Sequence, residues 1–224
     1  MATKKSLNKD ILTSVPIRKY SAPLRLWHWL NAIVITGSLI TVLINATVTD
    51  VKPTAALIKD EMQKAGASVT PDQARSAAHA LEDSVWNIHI YFGYALTGLL
   101  LLRLVLELFQ VVDQKFIRKI KAAFKQFKIV KTNRETNLHE ATVKTIYAVF
   151  YLLLLIMVVT GLFLAFEDAL VAYKSMRHTI KSIHGFCMYL ILAFIIIHIA
   201  GVFLAERKRS PGIVSDMING GKDQ

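Results

Sequence analysis

Residues 182–205 read SIHGFCMYLILAFIIIHIAGVFLA, twenty-four positions without a single Asp, Glu, Lys or Arg. A bilayer core about 30 Å thick is crossed by roughly 20 apolar residues of helix, so this stretch is long enough to span one. Three more stretches share the property: 26–49, 84–102 and 145–166. Hydrophobic residues make up 54% of the 224 positions and charged ones only 19%, which rules out an ordinary soluble domain. The pattern predicts an all-α membrane protein, a bundle of four transmembrane helices at about 24–48, 84–106, 145–166 and 182–205. These spans use nearly the whole chain, so 1–224 reads as one integral-membrane domain. Cys187 is the sole cysteine, which excludes an internal disulfide, a thiolate cluster for zinc or iron–sulfur, and covalent haem attachment through Cys-x-x-Cys-His. No glycine-rich phosphate loop is present either.

The formal charge of +11 would suggest nucleic acid on a soluble domain. Here the cations are sorted by connection. Segments 1–25, 103–144 and 206–224 hold six, ten and four Lys/Arg, twenty of the 27 in the chain. Segment 50–83 holds four bases against six acids, and 167–181 three against two. By the positive-inside rule both termini face the cytoplasm, and 50–83 and 167–181 face outward. The first apolar run exceeds the usual signal-peptide core, so it reads as a retained helix. Within 113–131, Phe116, Ile120, Ala123, Phe124 and Phe127 recur at helical spacing among lysines. That predicts an amphipathic helix on anionic membrane lipid, a better reading than nucleic acid for a segment tied between two membrane helices. Segment 50–83 reads as two short helices parted by Gly66 and by Thr70-Pro71, with Asp72 in the second helix's first turn. Partner docking and an inert cap are its two readings.

Four of the seven histidines lie inside the apolar runs: His28, His89, His184 and His198. Ionisable side chains in hydrocarbon are costly and usually functional. His184 and His198 are 14 residues apart, about 40° short of four full turns and roughly 21 Å along one helix face. Run direction then matches His89 with His184 near the outer surface and His28 with His198 near the cytoplasm. His198 lies about five residues deeper than His28, an offset of ~7 Å that helix tilt would absorb. Two facing imidazole pairs at two depths suit two b-type haems in the bundle core, with both axial positions of each iron filled. Zinc prefers three or four ligands at one point, and a proton relay lacks an acid within the spans. Isolated membrane histidines also serve as interhelical hydrogen-bonding residues.

Other residues allow two readings each. Thr36-Gly37, Thr97-Gly98 and Thr160-Gly161 provide close approach for a porphyrin edge or for a neighbouring helix. Arg25, one turn before His28, and Arg103, fourteen residues after His89, would meet haem propionates or snorkel to the interface. Cys187, one turn from His184, reads as a small core residue. His79, His139 and His178 lie outside the spans and read as surface residues; His139 also sits on the side where a quinone would dock.

The run Tyr20-Ser-Ala-Pro-Leu-Arg-Leu-Trp-His-Trp-Leu30, with Ile35-Thr-Gly37 after it, resembles the first helix of prokaryotic b-type cytochromes that serve nickel–iron hydrogenases. The His184-x13-His198 helix and the tail Pro211-Gly-Ile-Val-Ser-Asp-Met-Ile-Asn-Gly220 are similar to that family too. The resemblance covers the chain apart from 50–83, and the pattern is shared with formate dehydrogenase and thiosulfate reductase membrane subunits and with stand-alone four-helix cytochromes. It implies a di-haem subunit of the bacterial inner membrane. The iron–sulfur subunit of a periplasm-facing dehydrogenase, here a hydrogenase, would deliver electrons to an outer haem held by His89 and His184. An inner haem held by His28 and His198 would pass them to membrane quinone, near Gly201. The rival expectations are a stand-alone di-haem cytochrome between quinone and a small periplasmic donor, and a haem-free scaffold or transporter.

Overall fold

The protein is described from a computed structural model covering residues 20–109, 134–208 and 211–221. The expected amphipathic helix at 113–131 lies outside the described residues. Helix α1 is Ala22–Thr47, α2 Val51–Lys64, α3 Pro71–Phe109, α4 Arg134–Ala165, α5 Arg177–Lys208 and α6 Ile213–Asn219, with a 3₁₀ turn at Val171–Met176 before α5. Helix is the only regular structure among the described residues.

Among the described residues four segments are long and apolar enough to cross a membrane: Ala22–Thr47, Pro71–Glu107, Thr142–Ala165 and Val171–Arg207. Their outward faces are greasy. Ile33 is 64% exposed and Ile199 62%, and Leu43, Leu101, Leu152 and Ile196 are exposed beside them. In water each such side chain would forfeit about 1.5–3 kcal/mol of burial. In hydrocarbon that penalty vanishes, which is why a membrane helix carries apolar residues all round.

The helices overrun the uncharged stretches that identify them. Segment 50–83 holds α2, but its expected second helix is the opening of α3, which runs unbroken from Pro71 through the span. The reason is local: no Pro and no positive-φ residue follows Pro71 within α3. Asp72, Glu82 and Asp83 mark a polar extension of the same helix rather than a separate one. Its start is well made. Thr70 Oγ1 accepts from the Gln73 N–H at 3.2 Å, and Gln73 Oε1 accepts from the Thr70 N–H at 2.9 Å. This is a reciprocal capping box, with Pro71 at the position where a missing N–H costs nothing. Helix α2 is capped by Asp50, whose carboxylate accepts from Lys52 N–H at 3.0 Å. It ends where Gly66 takes φ +77°, a left-handed conformation glycine adopts without a Cβ clash. Ala74 and Ala78 of α3 and Thr54 of α2 are buried, so α2 packs on the extension through small side chains.

The chain divides into two units. The larger, Leu30–Phe194, draws on all four long helices. Gly37 of α1 accepts the Phe92 ring of α3, where a Cβ would overlap it. Phe150 of α4 stacks on Phe194 of α5 with ring centroids 4.2 Å apart. Arg103 Nε of α3 donates to Tyr151 Oη of α4 at 3.3 Å. Ile35, Leu100, Leu154, Cys187 and Ile191 are buried apolar residues where the four long helices of this unit pack. At one end Glu167 pairs with Arg177, closing the turn between α4 and α5.

The smaller unit takes the chain up to Trp29 together with Ile195 onward. Here the Glu206 carboxylate accepts from the N–H groups of Gly212, at 2.7 Å, and Val214, at 3.2 Å. The carboxylate thus caps α6, satisfying N-terminal donors that the helix cannot satisfy itself. The carbonyl end of α6 is met from α1. Trp29 Nε1 donates to the Met217 carbonyl at 3.2 Å, and Arg25 Nη1 donates to the Ile218 carbonyl. A cation at a helix C-terminus also complements the helix dipole.

Candidate functional site

Each unit contains one pair of facing histidines. In the larger, His89 of α3 and His184 of α5 lie with ring centroids 6.4 Å apart, at an interplanar angle of 79°. In the smaller, His28 of α1 and His198 of α5 lie 6.2 Å apart at 53°. Among the described residues no group of three or more His, Cys, Asp or Glu side chains converges; the histidines gather in twos.

The spacing can be tested against a metal held between two rings. A metal–imidazole bond is about 2 Å long, and with roughly 1 Å more from ring nitrogen to ring centre, two coaxial rings stand about 6 Å apart. Both pairs have that separation. The donor chemistry fits as well, since neutral imidazole ligates haem iron without bringing a buried charge.

In the larger unit the Nδ1 atoms of both rings have partners. His184 Nδ1 lies 2.8 Å from Thr160 Oγ1 of α4. His89 Nδ1 lies 2.9 Å from Thr41 Oγ1 and 3.3 Å from Ser38 Oγ, both on α1. Holding the second imidazole nitrogen fixes ring orientation and leaves Nε2 for a metal. Such interhelical bonds contribute only about 0.6 kcal/mol each in membranes, so their consequence is orientation rather than stability. Gly161 supplies the room. A Cβ there would stand 3.2 Å from His184 Cε1, tighter than ordinary packing. Trp86 closes the other side of His89, edge-on at 5.4 Å, with its Nε1 donating to Glu82.

In the smaller unit, Trp29 stands edge-on to His28 at 5.2 Å. His28 Nδ1 is buried with no hydrogen-bond partner, and so is Arg25 Nε. Arg25 thus sits in the unit that contains His28 and His198, but its Nη1 is engaged by the end of α6. Arg103 contacts Tyr151 and lies 3.4 Å from Glu107. Gly201 has open space where a Cβ would point, as do Gly93, Gly98 and Gly185. Of the three Thr-Gly pairs, Thr160-Gly161 serves a histidine, Gly37 makes room for Phe92, and Gly98 faces open space. His79, in the polar extension of α3, has its Nδ1 3.5 Å from Glu82.

The hydroxyls of Ser38 and Thr41 were not singled out by the sequence, and that of Thr160 only for its neighbouring glycine. A hydroxyl within an apolar run is a common helix-internal residue. The sequence offered no signal that set Thr41 apart, since its run also holds Asn31, Thr36, Ser38, Asn45 and Thr47; only the structure shows Thr41 and Thr160 to be buried.

A family model described as prokaryotic cytochrome b561 matches residues 19–220, nearly the entire chain. No curated protein and no solved structure matches it. Four membrane-length helices and this match make the protein a multi-pass membrane b-type cytochrome, one that binds haem b and takes part in electron transfer. The chain belongs to the prokaryotic cytochrome b561 family.

Proposed function

We propose that the chain carries two haem b groups, one between His89 and His184 and one between His28 and His198. In this reading it moves electrons across the membrane from a periplasm-facing dehydrogenase, a nickel–iron hydrogenase, to quinone. The observation carrying it is the pair of imidazole pairs, at centroid separations of 6.4 and 6.2 Å. Held by two imidazoles, each haem would supply a one-electron carrier suited to electron transfer rather than oxygen binding. The protein's own residues hold the carriers. Thr41 and Thr160 orient the ligand rings of one pair, and the apolar spans keep water and charge away from them. Arg25 and Arg103 are the cations proposed for the propionates. Gly201, one turn after His198, is the proposed edge of a quinone pocket on the strength of the resemblance alone.

Orientation follows from charge: with twenty of 27 cations in 1–25, 103–144 and 206–224, both termini lie in the cytoplasm of a bacterial inner membrane. The donor would then dock an iron–sulfur subunit on the side of the α2–α3 hairpin. A second reading is a stand-alone cytochrome served by a small periplasmic donor, for which the same hairpin would be the docking surface.

The test is purification from the native membrane followed by quinone reduction. The hydrogenase reading expects a co-purifying iron–sulfur subunit and hydrogen-dependent quinone reduction that His198→Ala abolishes. A cytochrome isolated alone, with no dependence on hydrogen, supports the second reading instead.

A further inference from the structure

The partners of His89 and His184 determine more than where the rings point. A hydroxyl has one proton to donate. Thr160 Oγ1 lies 2.6 Å from the Ile156 carbonyl oxygen, and Thr41 Oγ1 lies 2.6 Å from the Ser38 carbonyl oxygen. A carbonyl oxygen can only accept, so both hydroxyl protons are committed to the backbone. Each hydroxyl oxygen therefore turns a lone pair toward its histidine. The 2.8 Å contact to His184 Nδ1 and the 2.9 Å contact to His89 Nδ1 are then hydrogen bonds only if Nδ1 carries the proton in both rings. Both Nε2 atoms are left as bare donors.

We propose that Thr41 and Thr160 are positioning residues that lock His89 and His184 in the Nδ1–H tautomer and lower the midpoint potential of the haem between them. The proposal rests on the assignment of those histidines as ligands. An imidazole whose N–H is held by an acceptor is a stronger base at its other nitrogen. A stronger axial donor favours the ferric over the ferrous iron, and second-shell hydrogen bonding is one of the protein's levers on haem potential. Both rings act in the same direction on the same iron. His28 Nδ1, by contrast, is buried with no such partner, so that ring lacks the hold that Thr41 and Thr160 give to His89 and His184. If the threonines did no more than back-bond to their own helices, as helical threonines often do, removing a hydroxyl would leave the haem unaffected.

Thr160→Val is the cleaner test, because Ser38 Oγ stands 3.3 Å from His89 Nδ1 and would serve in place of Thr41. Purified holoprotein is titrated electrochemically, following the α band and the low-spin ferric EPR signals. Thr160→Val should keep both haems and raise one midpoint potential, leaving the other in place. A tenfold loss of ferric over ferrous preference reads as about 59 mV for one electron. Thr160→Ser, which keeps the hydroxyl, should restore the wild-type value. Unchanged potentials and EPR signals in Thr160→Val overturn the proposal, and so does a shift of equal size in Thr160→Ser. Should Thr160→Val not assemble, the double variant Thr41→Val with Ser38→Ala gives the same reading from the other ring. His184→Ala separates the role of Thr160 from the ligand assignment it rests on. If it keeps both haems, the ligand assignment itself falls, whatever the threonine variants do.

Discussion

Thr160 and Gly161 are adjacent on α4, and they act differently on one ring: the first holds His184 Nδ1, the second leaves room for Cε1. Gly161→Leu should therefore push the ring off its position and cost the protein one haem, a loss of one α-band component in the reduced-minus-oxidised spectrum. Gly98→Leu, where nothing stands within 4 Å, should keep both. Equal spectra for the two variants would show that the close approach at Gly161 does not matter to haem binding. At this scale the histidines were legible, because imidazole in an uncharged run is costly and two of them recur at a helical multiple. The residues holding them were not. Thr41 and Thr160 lie 48 and 24 positions from the histidines they touch, so only packing brings them together.

At the scale of elements, α3 is the instructive case. Hydropathy marked 84–106, whereas the helix begins at Pro71. A hydropathy pattern reports the solvent around a helix, and a change of solvent need not end one. What starts α3 is the Thr70–Gln73 capping box, with both bonds at 3.2 Å or less. Losing such a cap costs about 1 kcal/mol. Thr70→Ala combined with Gln73→Ala should thus loosen the first turn of α3 and speed protease cleavage near residues 66–70, leaving the haem spectrum unchanged. An altered spectrum would tie the hairpin to the haem sites more closely than its local capping does. Helix α6 was foreseen only as a tail similar to that of the resembled family. Its cap on Glu206 and its contacts with Arg25 and Trp29 depend on residues distant in sequence.

For the whole molecule, four membrane spans and the absence of strand among the described residues were readable from composition and charge. The reason is that hydrocarbon imposes a simple rule: backbone groups must be satisfied within the helix. Orientation is a separate claim and rests on cation sorting. Reporter fusions should show the C-terminus and a site within 134–144 in the cytoplasm, and a site within 66–70 outside. The reverse labelling would exchange the inner and outer assignments of the two histidine pairs without altering the pairs themselves. Whether two histidine pairs hold two haems is read from the ratio of haem to purified polypeptide. Two haems are expected in the wild type, one in His89→Ala and one in His198→Ala, with a different α-band component missing from each variant. A wild-type ratio of one, or a His198→Ala protein that retains both haems, would contradict that assignment.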